Sequence, residues 1–309
     1  VVRVERGGSL VATADGEHLV PPRPDVVPAV GDWVGVRWHG DHPVPEQLAP
    51  RSSELSRYDP EGMPQVLAAN IDIVFVTAPA DRLSPSRVER ETAAAWGSGA
   101  TPVVLVTKGD LAAPGLVTEL DNRLLGVEVL LTSAVTGDGT DLVADALRPA
   151  RTAVLLGPSG AGKSSLVNAL LGTDHLAVGP VRSGDRRGRH TTTSRQLVPV
   201  PTGGVLIDTP GLRTFTLAGD DGLGSAFPEV ESLAAGCRFA DCRHDTEPGC
   251  AVTDAVSAGG LDPARLASFR KLQRELDFEA RRNDPLARRE AERVWKIRAK
   301  AARRINRDR

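Results

Sequence analysis

The chain has 309 residues, 40% of them hydrophobic and 25% charged, with a net charge of −2; this excludes disorder throughout and fits two or three folded domains. No run approaches the roughly 18 uninterrupted apolar residues of a membrane span, and no basic start leads into an apolar signal, so a cytosolic protein that touches no membrane is expected. Three cysteines, all between Cys237 and Cys250, are too few and too clustered for a disulfide framework and point instead to a metal.

Val1 opens the chain and Met63 is its sole methionine, so an initiator and a short leader are expected ahead of it. Residues 1–58 carry short β-type runs at 1–4, 9–13 and 32–38, punctuated by Gly7-Gly8, Asp15-Gly16, Pro21-Pro22 and Gly40-Asp41. A small antiparallel barrel of the five-stranded OB type fits them, with a strand face and loops suited to nucleic acid. Trp33 and Trp38 either pack in its core, the reading the pattern favours, or stack bases.

From 62 to 220 the rhythm becomes strand then helix. Apolar runs of buried-strand length at 71–77, 102–107, 127–131, 153–156 and 204–207 alternate with helical stretches at 86–97, 116–125, 139–147 and 163–171. Buried strands separated by helices predict a largely parallel sheet covered on both faces, an α/β nucleotide-binding architecture. From 221 to 309 the strand pattern stops. The cysteine cluster appears there, followed by two helical segments that part near Asn283-Asp284-Pro285. Residues 265–309 hold 16 Lys/Arg against 7 Asp/Glu, so the rest of the chain is acidic. A basic end on an acidic body is the footprint of a protein that meets a polyanion with one end, or else a solvated helical face.

Gly157-Pro158-Ser159-Gly160-Ala161-Gly162-Lys163-Ser164 follows one predicted strand and opens a helix, the context a phosphate loop requires. Its glycines let backbone N–H groups converge on a phosphate, the helix N-terminus adds a positive dipole end, and Lys163 brings a point charge to the β/γ oxygens. Ser164 would be a Mg²⁺ ligand, and Ser165 helps line the loop. Downstream, the strand 205–207 ends in Asp208-Thr209-Pro210-Gly211, which places a carboxylate for Mg²⁺ and a glycine N–H for the γ-phosphate. Between them, Gly188-Arg189-His190-Thr191-Thr192-Thr193 offers a threonine hydroxyl to the Mg²⁺ shell, with Thr192 favoured.

Thr107-Lys108-Gly109-Asp110 ends a strand and resembles the guanine-reading Asn/Thr-Lys-x-Asp motif of GTPases. A carboxylate at Asp110 accepts from both the ring N–H and the exocyclic amine of guanine, a donor pair that adenine lacks, and Lys108 lays its stem over the ring. Leu131-Thr132-Ser133-Ala134, again after a strand, resembles the second base loop, with the Ala134 N–H placed for the guanine carbonyl and Ser133 counted with it as nucleotide-binding. Thr107 stands where asparagine is commoner and would tie the base loop to the phosphate loop through its amide; weaker nucleotide affinity with unchanged specificity is therefore expected.

The base loops precede the phosphate loop, the reverse of an ordinary GTPase chain and the result of a circular permutation. This order, with Gly-Arg-His-Thr-Thr-Thr, Asp-Thr-Pro-Gly, a small N-terminal barrel and a downstream Cys/His cluster, resembles the circularly permuted, small-ribosomal-subunit-dependent GTPases. Gln65-Val66-Leu67-Ala68-Ala69-Asn70-Ile71-Asp72 looks like theirs too. The resemblance implies GTP hydrolysis to GDP and phosphate, stimulated by the small subunit during its late maturation, by a monomer that contacts rRNA. A nucleotide-stabilised RNA-binding scaffold with negligible turnover is the alternative. The position after Asp-Thr-Pro-Gly is Leu212, which cannot orient water; the resemblance implies that His190 does so, although a histidine among Arg186, Arg187 and Arg189 serves equally to contact RNA phosphate. Cys237, Cys242, His244 and Cys250, spaced C-x4-C-x-H-x5-C, supply three thiolates and an imidazole for one structural Zn²⁺.

Overall fold

The computed structural model describes residues 1–5, 7–58, 64–173, 195–208 and 221–283. The N-terminal strands are β1 (Arg3–Glu5), β2 (Gly8–Thr13), β3 (Gly16–Val20), β4 (Val34–His39), β5 (His42–Leu48), β6 (Glu54–Tyr58) and β7 (Pro64–Ala69). The α/β part then runs β8 (Ile73–Pro79), α1 (Pro85–Gly97), β9 (Thr101–Thr107), α2 (Leu116–Arg123), β10 (Glu128–Leu131), α3 (Thr140–Ala146), β11 (Thr152–Leu156), α4 (Lys163–Leu171), β12 (Arg195–Pro199) and β13 (Val205–Asp208). Among the described residues four helices follow: α5 (Asp221–Ala226), α6 (Pro228–Ala234), α7 (Ala251–Ser257) and α8 (Pro263–Asn283).

One sheet organises the molecule, in the strand order β10-β9-β8-β11-β13-β12-β1-β2-β3. The first five are parallel, as their unbroken apolar runs predict; every side chain of β8 is buried. Strand β12 reverses direction against β13, pairing Gln196 with Asp208, and β1 then adds antiparallel to β12. The N-terminal strands are thus hydrogen-bonded into the same sheet as the α/β part, while β4-β5 and β6-β7 form two small antiparallel ladders of the kind an OB-type barrel is built from. Core packing does not hold for the two tryptophans there. Trp33 is 73% exposed and Trp38 45% exposed, because among the described residues β4 hydrogen-bonds to β5 and to no strand of the larger sheet, which leaves this ladder largely open to solvent. Trp38 instead meets the His18 ring edge-on at 4.8 Å.

Two apolar layers cover the sheet. On one face Ile73, Phe75, Leu105 and Leu155 pack with Val143 and Leu147 near or on α3 and with Leu166 and Leu170 of α4. On the other, Val74, Val76 and Val104 pack with Val88 and Ala93–Ala95 of α1 and with Leu120 of α2. That layer runs on without a break into Leu223, Phe227, Val230, Val252, Leu266 and Phe269. The C-terminal helices therefore share a core with the α/β sheet. Gly222 makes this approach possible: a Cβ there would lie 2.4 Å from the Ala93 carbonyl oxygen on α1. Among the described residues no helix is long and apolar enough to cross a membrane.

Candidate nucleotide site and metal centre

Parallel strands deliver their C-terminal ends to one edge, where open α/β sheets hold ligands. At that edge β11 runs into the phosphate loop and β9 and β10 into the two base loops, with β8 between them. The loop after β11 closes tightly. Gly157, at φ 137°, lies so close to Thr77 on β8 that a Cβ would come within 2.0 Å of the Thr77 hydroxyl, which itself donates to the Leu156 carbonyl. Only glycine fits both the dihedral and the space. Gly160 and Gly162 also have positive φ, and α4 starts at Lys163. The Lys163 ammonium donates to the carbonyls of Gly157 and Pro158, each at 2.8 Å, and so lies inside the loop rather than out in solvent. Ser159 and Gly160 are exposed, Ala161 is buried, and Ser164 and Ser165 are half-buried at the start of α4.

The base loops are tied to each other and to this cradle. The Gly109 N–H donates to the Thr132 carbonyl at 2.8 Å, and the Ser133 hydroxyl donates to Asp110 at 2.7 Å, so the second loop holds the carboxylate of the first. Ser133 is 1% exposed and its hydroxyl also accepts from the N–H groups of Val135 and Thr136, which shapes the loop around half-buried Ala134. Lys108, at φ 56°, pairs with Asp81 at 2.7 Å, and that ammonium holds the Asp81 carboxyl below the usual range. The buried Thr107 hydroxyl donates to the Ala161 carbonyl at 2.6 Å. A hydroxyl therefore makes the link between base loop and phosphate loop that the commoner asparagine would make through its amide.

Asp208 ends β13, one residue past Ile207, which pairs with Val154 of β11, so the strand end lies beside the root of the phosphate loop. The Asp208 side chain, His190, Thr192, its neighbours Thr191 and Thr193, Gly211 and Leu212 lie outside the described residues.

The Cys/His cluster assembles between α6 and α7. The ligand atoms of Cys237, Cys242, His244 and Cys250 all lie within 4.8 Å of one another. Cys237 and Cys250 sulfurs are 3.9 Å apart and each is 3.5 Å from His244 Nδ1. Tetrahedral zinc, with Zn–S near 2.3 Å and Zn–N near 2.0 Å, would set those separations at about 3.8 and about 3.5 Å. The donor set and its spacing therefore fit a divalent metal. Glu247, which the sequence did not single out, braces the knuckle: its carboxylate accepts from the N–H groups of Arg243, Asp245 and Thr246, and these bonds pull its pKa down to about 2.

A family model described as RsgA GTPase matches residues 48–218. The chain belongs to the RsgA GTPase family. Among curated relatives of this family, the "Small ribosomal subunit biogenesis GTPase RsgA" of Streptomyces avermitilis is 45% identical, with 96% of this chain and 84% of that protein covered. Its counterpart from Opitutus terrae is 44% identical over 94% and 84%. Among solved structures, YjeQ from Thermotoga maritima superposes with a TM-score of 0.63 at 25% identity, covering 85% of this chain and 91% of that one. The circularly permuted GTPase YloQ, at 22% identity, shares the fold with a TM-score of 0.65 over 90% and 93%.

In this RsgA-family chain the Cys/His knuckle is tied through α8 to α1 and α6. Arg265 of α8, 5% exposed, reaches Glu89 of α1 at 2.9 Å, Glu229 of α6 at 2.6 Å and the Ala226 carbonyl at 3.0 Å, and lies 4.0 Å over the Phe227 ring. Glu89, 1% exposed, also takes Arg123 of α2 at 2.7 Å. Arg270 of α8 donates to the His244 carbonyl, and Phe269 stands 5.9 Å from the imidazole. Sequence reading missed this network because its partners lie up to 176 residues apart, and an arginine on a basic helix looks like one more surface charge.

Proposed function

We propose that the protein is a GTPase that binds the small ribosomal subunit and acts in its late maturation, hydrolysing GTP to GDP and phosphate when the subunit orders its catalytic loop. One observation carries the reading: the buried Thr107–Ala161 hydrogen bond and the Ser133–Asp110 bond join two base loops and one phosphate loop into a single edge, with the base-reading carboxylate at one end and the phosphate cradle at the other. The names of the curated relatives supply the partner.

In this reading the three parts of the chain are a barrel over 1–58, the GTPase domain over 62–220 and the metal module with its basic helices over 221–309. Asp110, Lys108 and Gly109 read the base with Ser133 and Ala134. The backbone from Gly157 to Gly162 holds the phosphates while Lys163 exchanges its loop carbonyls for phosphate oxygens. Ser164, Asp208 and Thr192 would hold Mg²⁺, which neutralises charge on the phosphates when bound. Gly211 meets the γ-phosphate, and His190 orients the water that Leu212 cannot. Cys237, Cys242, His244 and Cys250 hold one zinc, which fixes the module against α8. The barrel and the Arg-rich helices together grip rRNA, and the protein works as a cytoplasmic monomer.

The test is GTP turnover by wild type and Lys163→Ala, each with and without purified small subunits. Subunit-stimulated turnover lost in Lys163→Ala is expected. Equal, negligible turnover in all four arms would establish the scaffold reading instead.

A further inference from the structure

Strand β8 ends between the base loop of β9 and the phosphate loop of β11, and its end is capped by a single 3₁₀ turn, Ala80–Arg82. In the strand order this turn stands on the path from Asp110 to the phosphate cradle. Two consecutive, exposed side chains of the turn face opposite ways along that path. Asp81 takes the Lys108 ammonium of the base loop at 2.7 Å, and Arg82 Nη2 donates to the Ser159 carbonyl of the phosphate loop at 2.7 Å. Among the described residues, Ser159 is the one hydrogen-bond partner of Arg82.

The geometry of a trans peptide turns this contact into an argument about the ligand. A C=O and the N–H of the same peptide unit point in opposite directions, so a guanidinium on the Ser159 oxygen stands on the far side of the unit from the Gly160 N–H. The bond fixes the rotation of a peptide whose two residues are exposed and one of which is a glycine at φ 72°, the least restrained stretch of the cradle. It aims the N–H at the space where phosphate sits. A cationic donor on the carbonyl also polarises the unit and strengthens the N–H as a donor. Lys163 does not do this work, because its ammonium is engaged with the carbonyls of Gly157 and Pro158 on the inner side of the loop.

We infer that Arg82 is a positioning residue for the phosphate chain of the bound nucleotide: from outside the cradle it holds the Ser159–Gly160 peptide with its N–H turned to the phosphates, while Asp81 performs the matching task for Lys108 on the base side. This rests on the nucleotide reading above and deepens it. It assigns to a turn outside every sequence motif a share of the affinity that distinguishes guanosine diphosphate from guanosine monophosphate.

The experiment measures dissociation constants for GDP and GMP, by displacement of a fluorescent guanine nucleotide, with the full-length wild type, Arg82→Ala, Arg82→Lys and Asp81→Ala. A loss of one charge-assisted hydrogen bond at an exposed site predicts that Arg82→Ala lowers the preference for GDP over GMP about tenfold. Arg82→Lys, which keeps a charged donor, recovers most of it. Asp81→Ala weakens both nucleotides alike and leaves the preference unchanged. A merely structural role for Arg82 would also weaken both alike. A GDP preference in Arg82→Ala within twofold of wild type overturns the inference. Failure of the wild type to bind either nucleotide overturns the nucleotide reading itself, so the two failures are distinct.

Discussion

Replacing Thr107 with valine removes one hydroxyl and changes almost nothing else, since the two side chains have the same shape. Thr107 is 3% exposed and Ala161 1% exposed, and the 2.6 Å bond between them is the one hydrogen bond to the Ala161 carbonyl among the described residues. The valine variant therefore leaves a buried carbonyl without a partner whenever the loops are closed, a penalty of about 1–3 kcal/mol. Nucleotide binding requires the loops closed, so whatever part of the penalty the free variant escapes by parting them falls on nucleotide binding. At about 1.4 kcal/mol per tenfold, GDP affinity should drop roughly 5- to 150-fold with little change in melting temperature. Thr107→Asn, whose amide can donate to the same carbonyl, should stay within about threefold of wild type. Displacement of a fluorescent guanine nucleotide measures all three proteins. A valine variant that is folded and binds GDP within twofold of wild type would refute the claim that this hydroxyl joins the two halves of the site.

Stripping metal with a chelator should release one zinc per chain, and hydrogen exchange should then rise first at residues 237–250 while the amides of β8, β9 and β11 stay protected; uniform loss of protection would contradict a separately held knuckle. Arg265→Met takes one of two arginines from buried Glu89, which keeps Arg123, and removes the partner of Glu229 at the junction of α1, α6 and α8, so the urea midpoint should fall by the equivalent of about 3 kcal/mol; a shift below about 1 kcal/mol would show that the network contributes nothing. Burial pushes the Glu91 carboxyl above its usual range despite Arg87 at 3.1 Å. A raised pKa means the folded state prefers the protonated form, so stability is full below the unfolded value and declines as pH rises through the folded one. Glu91→Gln should therefore be more stable than wild type at pH 8 and equal to it at pH 4; the same difference at both would contradict the sign.

Much of this architecture was legible in the sequence because its signals are local. A strand run, a glycine-rich octet and a helix starting at Lys163 are contiguous, and the helix begins where the pattern places it. The thiol and imidazole spacing likewise brings its four donors together over one short segment. What escaped depends on residues far apart. Strand β12 was missed because Arg-Gln-Leu-Val-Pro lacks a long apolar run, and its direction follows from pairing with β13. The surface position of Trp33 was misjudged because alternation marks a strand but does not say whether another sheet covers it. Arg82 and Arg265 carry no motif; only the fold brings one to Ser159 and the other to Glu89.

The central claim is that two loops from opposite sides of a permuted chain grip one guanine nucleotide, with Asp110 reading the base. Asp110→Asn replaces an acceptor facing guanine's donor pair with a group that can donate to the carbonyl of xanthine. Nucleotide binding by wild type and variant with GTP and xanthosine triphosphate side by side is the most direct measurement. The account predicts that the preference inverts, with the variant favouring the xanthine nucleotide; a variant that keeps its preference for GTP would contradict it.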